Sequence, residues 1–357
     1  MLYYYRYRKA SFVLSLQGIS QQIQQFGLMI AALFQIYLLG FIAILFMGIG
    51  KIVESDSPAT QVQIAWGLLA AQSFILLVFR DAVLDSTHRR YHHTILTQTI
   101  HQKLADGVSL LIVHPLLLMS LIICYSMGLE KLTQAWQLIL FVVTQFFVAL
   151  CFIYRPLGTG SGLLLAAAIA LYATNITWYL VALNLIILGC STLLPRTLLM
   201  SISVTGLATF WLSFAYNHYF VLLWRIVLSA LVLWFGVILE TERPDLVANY
   251  VPGLVTLILL WWSSLAIDLK PEIYGRVAYW LSLDKLQSAK QSIWIIVLTA
   301  AIGFSVPVYI LLGMTVVSLL PYVFLPLLVL SALKGPQHLA MTWLSTLVLS
   351  YTAFVLF

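Results

Sequence analysis

The sequence predicts an all-α polytopic membrane protein, with about eleven transmembrane helices in two parallel repeats, each repeat carrying a cytoplasmic amphipathic helix. Three observations carry this. Of 357 residues, 62% are hydrophobic and 8% charged, and the mean hydropathy is +1.01. Soluble domains carry about a quarter charged residues, so a soluble protein is excluded. Apolar runs of about 20 residues, each able to span about 30 Å of hydrocarbon as a helix, recur along the whole chain. Two polar stretches interrupt them, Asp81 to Lys103 and Asp268 to Lys290, 187 positions apart.

The elements follow in order. The N-terminus places Arg6, Arg8 and Lys9 among four tyrosines, a mixture suited to the cytoplasmic headgroup region. An in-plane helix is expected over 9–24 and span 1 over 26–50, with no removable signal peptide because no small-residue cleavage site follows the first apolar run. The loop with Lys51, Glu54 and Asp56 is net acidic and reads as outside; span 2 covers 62–80. Spans 3 (105–127) and 4 (134–153) flank a turn at Glu130 and Lys131, and Arg155 marks a cytoplasmic turn. The run 162–194 is too long for one span and carries Asn175 near its middle, so it is split there into spans 5 and 6. Beyond Pro195 and Arg196, the 187 offset makes 199–211 a second in-plane segment and gives spans at 213–239 and 249–267 around an acidic loop with Glu240, Glu242 and Asp245. Counting 199–216 as a crossing would put Lys270, Arg276, Lys285 and Lys290 outside, against the positive-inside tendency. Spans at 292–312, 315–333 and 339–357 complete the chain, with a turn at Lys334. The two halves are then 1–194 and 195–357, in the inner membrane, with the N-terminus in the cytoplasm.

The same offset aligns Asp81 with Asp268, Asp85 with Glu272, Arg89 with Arg276 and Lys103 with Lys290. In each stretch an acid precedes an arginine by four residues, which puts opposite charges on one helical face. Asp268 suits an N-cap and Pro271 the first turn of a helix. Leu84, Tyr91 and Ile95, like Ile273, Val277 and Trp280, form an apolar stripe facing lipid or the bundle. The charges, Arg90 included, are left on a cytosolic face. The plain alternative is an interfacial linker; duplication with retained charges points to a surface on which a soluble partner docks.

An in-plane helix, two spans, a cytoplasmic amphipathic helix and further spans resemble the permease subunits of ABC-2-type exporters. The run KLADGVSLLIVHPLLLMSLIICYSMGL (103–129) is similar to the corresponding part of the haem-exporter permease of cytochrome c maturation, where a lysine opens a span with a central proline and a small-residue end. Lys290, Pro307 and Gly313 keep that order in the second stretch. The resemblance covers 80–155 and 268–333. It implies that the cytoplasmic helices dock on a separate ATP-binding-cassette ATPase and that two permease halves make one transporter, here within one chain whose second half lacks a last span. It implies no enzymatic role and no cofactor for this chain; the exported substrate is not specified.

Other residues bear on rival functions. Gly158, Gly160 and Gly162 have the look of a phosphate loop, but no lysine follows, and glycines at a span entrance serve close helix packing. No GxxxxGK[ST] occurs, so ATP hydrolysis would be supplied in trans. His88 and His92, four apart, have a metal-ligand spacing, but no cysteine joins them and Gly275 and Tyr279 stand at the matching places. His92 and His93 as acid–base groups would make the chain an acyl- or glycosyl-transferase acting on a lipid-linked substrate. A proton-driven secondary transporter would need acids in the spans, where few are found. Arg225 is an intramembrane charge, and either it or His114, beside Pro115, is a residue of structure or of a translocation path. Cys124, Cys151 and Cys190 lie in apolar runs and read as packing residues. The net charge of +6 reflects inner loops and requires no nucleic acid.

Overall fold

Every described regular element is an α-helix, the form that satisfies all backbone groups within one segment of hydrocarbon. The computed structural model describes residues 2–53, 57–89, 92, 99–194, 213, 215–242, 247–284, 286–312 and 320–356. The chain divides into two compact units, Met1–Phe220 and Val221–Phe357.

The first unit holds α1 (Leu2–Lys51), α2 (Pro58–Leu84), α3 (Thr99–Ile112), α4 (Pro115–Gln134), α5 (Trp136–Tyr154), α6 (Pro156–Ala170) and α7 (Ile176–Leu193). The expected in-plane helix and span 1 are one continuous helix of 50 residues. No proline occurs before Pro58 and the glutamines of 17–25 are good helix formers, so nothing breaks the hydrogen-bond ladder. Span 3 departs the other way. It is two helices, Ile100–Ile112 and Pro115–Gly128, bent by 75°. The break is local chemistry: Pro115 cannot donate its N–H, and the His114 ring accepts the N–H of Leu117 at Nδ1 (3.0 Å), capping the helix that follows. The turn expected at Glu130 and Lys131 is instead a non-helical Gly128 (φ 73°, ψ 163°) followed by a helix end at Ala135.

Asn175 does divide the long apolar run. Its carboxamide accepts the N–H groups of Thr177 (3.0 Å) and Trp178 (3.3 Å), a side-chain cap that starts α7. Helices α6 and α7 then pack face to face through glycine. A Cβ on Gly158 would lie 2.5 Å from Ser191 Cα, and one on Gly162 would lie 2.8 Å from Ile187 Cγ1. Packing is therefore the role of these two glycines. Buried polar side chains stitch α2 to its neighbours: Trp66 Nε1 donates to the Leu163 carbonyl (2.9 Å) and Gln72 Nε2 to that of Gln145 (3.1 Å).

The second unit holds most of α8 (Tyr219–Glu242), then α9 (Val247–Ser263), α10 (Leu265–Asp268), α11 (Lys270–Ser282), α12 (Leu286–Leu312), α13 (Leu320–Lys334) and α14 (Pro336–Leu356). Gly303 lets α12 close on Trp262, whose ring atom Cη2 would sit 2.3 Å from a Cβ there, while Trp262 Nε1 donates to Ser229 Oγ (3.0 Å). Trp343 Nε1 ties α14 to the Thr256 carbonyl of α9 (2.9 Å). Gly335 (φ 149°) makes the turn after Lys334.

Six helices are long and apolar enough to cross a membrane, Pro58–Leu84, Trp136–Tyr154, Ile176–Leu193, Tyr219–Ile238, Tyr250–Asp268 and Ile293–Ile310, and the bent pair brings the number to seven if it is one crossing. Pro156–Ala170 and Tyr322–Lys334 are apolar but shorter. The predicted total of about eleven is therefore not reached among the described residues. The expected in-plane segment 199–211 and the acidic residues Glu54, Asp56 and Asp245 lie outside the described residues. Large apolar side chains such as Ile122, Val143, Leu165 and Leu185 point outward, as lipid-facing positions do.

Candidate functional site

The first polar stretch breaks after its first turn, and beyond the break its described residues Arg89 and His92 are helical again, the His92 N–H closing on the His88 carbonyl (3.1 Å). Residues 81–84 are the last turn of α2. Asp85 then adopts the left-handed conformation (φ 50°, ψ 55°) and its N–H closes on the Asp81 carbonyl, a cap that Asp tolerates better than most residues. The turn carries Asp85 inward. Its carboxylate accepts from His88 Nδ1 (3.0 Å at Oδ1) and His92 Nε2 (2.9 Å at Oδ2), and Arg8 Nη1 lies 3.3 Å from Oδ2. The Tyr7 hydroxyl reaches the same oxygen at 3.5 Å.

Arg8 comes from the second turn of α1 and serves three acceptors. Besides Asp85, its Nη2 donates to the Val83 carbonyl (2.7 Å) and to Asp106 Oδ1 (2.8 Å). The Val83 carbonyl is among the last of α2, where the helix leaves its C=O groups unpaired and a cation is favoured. Asp106, on α3, accepts further from Arg89 Nη1 (2.8 Å) and the Tyr154 hydroxyl (2.9 Å) at Oδ2. Two arginines and two aspartates thus join α1, the end of α2 and α3, and the Tyr154 hydroxyl brings in α5. The side chains of Arg8, Asp85 and Asp106 are 4%, 3% and 1% exposed, so the charges are held out of water and must be matched in place.

Protonation follows from these contacts. Burial alone would raise the Asp85 carboxyl, but the hydrogen bonds from His88 and His92 and the Arg8 guanidinium outweigh it and bring it below the usual carboxylate range. Burial lowers His92, against the pull of its Asp85 hydrogen bond, so the ring is held neutral while donating to the carboxylate.

The predicted docking residues therefore separate. Asp85 is inside the cluster, and Arg89 pairs with Asp106 and not with the acid four residues before it, because the left-handed turn at Asp85 removes the helical face the two were to share. Asp81, Lys103 and Lys290 are exposed, the last two standing on helices that run on into apolar segments. Arg90 and His93 lie outside the described residues. The second stretch does form a helix, α11, with Pro271 in its first turn as expected. Its N-cap is Leu269 and not Asp268. Asp268 instead pairs with Arg225 Nη2 at 2.5 Å. Arg225 also donates to the Trp261 carbonyl and to Ser264 Oγ, with its guanidinium 4.9 Å from the Trp261 ring centroid. It stands six residues into the Tyr219–Ile238 span, about 9 Å from its start, and closes a helix–helix contact within the second unit. Glu272 is half-buried with interactions of its own, and the side chain of Arg276 is not among those described. His114 is buried at the 75° bend as a cap, its Nε2 without a partner among the described residues.

Asp106 was not singled out from the sequence, and Arg8 was read only as a headgroup-region charge, although a signal was present. Asp106 falls inside the range expected for span 3, and an acid within an apolar run asks for a partner. No group of three or more His, Cys, Asp or Glu residues able to hold a metal occurs among the described residues; His88 and His92 are both engaged with Asp85.

These features define an all-α, multi-pass membrane protein with a buried ion cluster in its first unit. A family profile matches residues 2–353, and the chain belongs to that family, described as a family of unknown function, DUF6136. No curated protein and no solved structure matches the chain.

Proposed function

We propose that the chain is the membrane-spanning permease of an ATP-binding-cassette exporter, moving its substrate on energy from a separate ATPase. The observation that carries the reading is α11. It is an exposed helix of 13 residues set between the spans Tyr250–Asp268 and Ile293–Ile310. Ile273 is buried beneath it, Tyr274 donates to the Leu333 carbonyl (3.2 Å), and Tyr279 and Leu281 stand outward. Such a helix is anchored to its bundle yet presents a face, as an element that transmits a partner's movement must. Glu272 and Arg276 on α11 and Lys290 at the start of α12 are the docking charges, with Asp81 and Lys103 as the accessible charges of the first stretch. The finer arrangement belongs to the same proposal: two parallel halves, 1–194 and 195–357, about eleven spans in the inner membrane, and a cytoplasmic N-terminus. Lys103 and Lys290, each leading into an apolar helix, support it.

The test is copurification of the tagged full-length chain from its native membranes. An ATPase should accompany it, and Arg276→Glu should weaken that association more than tenfold, the loss expected when a desolvated interface charge is left unpaired. Retention of the partner by Arg276→Glu, or purification with no ATPase at all, would sink the proposal. Arg89→Glu is no test of docking, since it places a second carboxylate against Asp106.

One observation favours a second reading. The buried His92–Asp85 hydrogen bond is the pairing that orients a general base, as an acyl- or glycosyl-transferase would use. His92→Gln should leave transport intact under the exporter reading; loss of all activity with normal folding and insertion would select the transferase.

A further inference from the structure

The ion cluster is short of acceptors. Among the described residues, the buried Tyr4 hydroxyl, Arg8 Nε and Gln102 Nε2 have no hydrogen-bond partner, and Arg8 Nη1 has its 3.3 Å ion contact with Asp85 and no hydrogen bond. All of these atoms can donate, and buried donors left unmatched are costly. They share one place. Tyr4 lies one helical turn before Arg8 on α1, and Gln102 one turn before Asp106 on α3. Arg8 and Asp106 are bonded, Tyr4 packs on Ala105, and the Tyr5 hydroxyl meets His101 Nδ1 at 2.9 Å. The two helices therefore run side by side with Tyr4 and Gln102 level, and the His92 ring edge closes on Tyr4 at 5.4 Å.

The surroundings say which acceptor fits. Arg6, Lys9 and Lys103, beside these residues in the chain, are exposed, and Tyr3, Tyr5 and Tyr7 expose their rings, the composition of a membrane–water interface. Inside, two arginines are balanced by two aspartates, which leaves no excess charge for a dianion beside Asp106. A single negative charge drawn in by the outer lysines and arginine is tolerated. Burial holds the Tyr4 phenol above its ordinary pKa, so it remains a donor.

We propose that the first turns of α1 and α3, through the unmatched donors of Tyr4, Arg8 and Gln102, part to bind the phosphodiester of a phospholipid headgroup. The site is independent of whether the chain works with an ATPase. Its occupant ties the N-terminal turns of α1 to the membrane surface.

The full-length chain, purified in mild detergent and stripped of lipid, is melted with added phosphatidylglycerol, with diacylglycerol of the same acyl chains, or with orthophosphate. Phosphatidylglycerol should raise the melting temperature by a few degrees and diacylglycerol should not. Tyr4→Phe should remove most of the rise. Gln102→Glu places a carboxylate within reach of the unmatched donors; it should raise the lipid-free melting temperature and abolish the response to phosphatidylglycerol. Orthophosphate reproducing the full rise would move the occupant from a lipid to a free anion and overturn the headgroup assignment. Equal rises with diacylglycerol, or a response unchanged in both variants, would show that these turns hold no phosphate group.

Discussion

Asp106→Asn should be among the most destabilising conservative substitutions in the chain. The carboxylate is 1% exposed and accepts from Arg8, Arg89 and Tyr154 at 2.8, 2.8 and 2.9 Å. Replacing it with a carboxamide keeps the volume and one acceptor. It removes one of two negative charges facing Arg8 and Arg89, and turns an amide NH2 towards a guanidinium. Opposite charges 4 Å apart attract by about 4 kcal/mol at an effective dielectric of 20, and breaking a buried ion pair by removing one partner costs about 3–5 kcal/mol. Arg8, 4% exposed, should bear most of this, and Arg89, 24% exposed, less, because water screens it. The expected loss is therefore about 3–5 kcal/mol, read as denaturant-induced unfolding of the purified chain in detergent. Asp81→Asn is the control: Asp81 is exposed, and its change should fall within about 0.5 kcal/mol. A cycle pairing Asp106→Asn with Arg89→Gln should give a smaller coupling than the cycle with Arg8→Gln. A loss below about 1 kcal/mol for Asp106→Asn would refute the reasoning, because it would mean that water reaches the cluster and matches its charges.

Three further outcomes are expected. Gly162→Ala should cost about 1–3 kcal/mol by forcing α6 off Ile187, while Gly189→Ala, which meets nothing within 4 Å, should be neutral or stabilising; equal effects would show that the helices do not pack this closely. Stability should fall on acidification in two steps, because both folded-state pKa values lie below their unfolded ones: below about pH 6.5 as His92 takes a proton more readily unfolded than folded, and below about pH 4 as Asp85 does. His92→Gln should erase the upper step in a melting-temperature profile, and an unchanged profile would assign that step elsewhere. Cysteines placed at Ser86 and Ser288 should be shielded from an impermeant thiol reagent in intact cells while one at Ser55 reacts; labelling at Ser288 but not Ser86 would show inverted halves.

What the sequence determined by itself is the class of the protein. Hydrophobic content and the near absence of charge leave only helices able to satisfy the backbone in lipid, and the spans 58–84, 136–154 and 250–268 fall where apolar length alone puts them. Asn175 was legible as a break because a side chain that caps its own neighbours acts locally. Gly158 and Gly162 were legible as packing residues because a missing Cβ has one steric use at a helix crossing. Tertiary structure decided the rest. Charge spacing predicted that Asp85 and Arg89 would pair with each other on a cytosolic face. A single left-handed residue at Asp85 ended the helix, and each charge found a partner far along the chain, Arg8 for one and Asp106 for the other. Asp268, read as a helix cap, likewise answers Arg225 from another helix. An i,i+4 pair is worth only tenths of a kcal/mol, whereas a buried charge without a counter-ion costs several. Long-range pairing therefore overrides local spacing wherever the fold buries a charge, and which charges it buries is a property of the assembled helices.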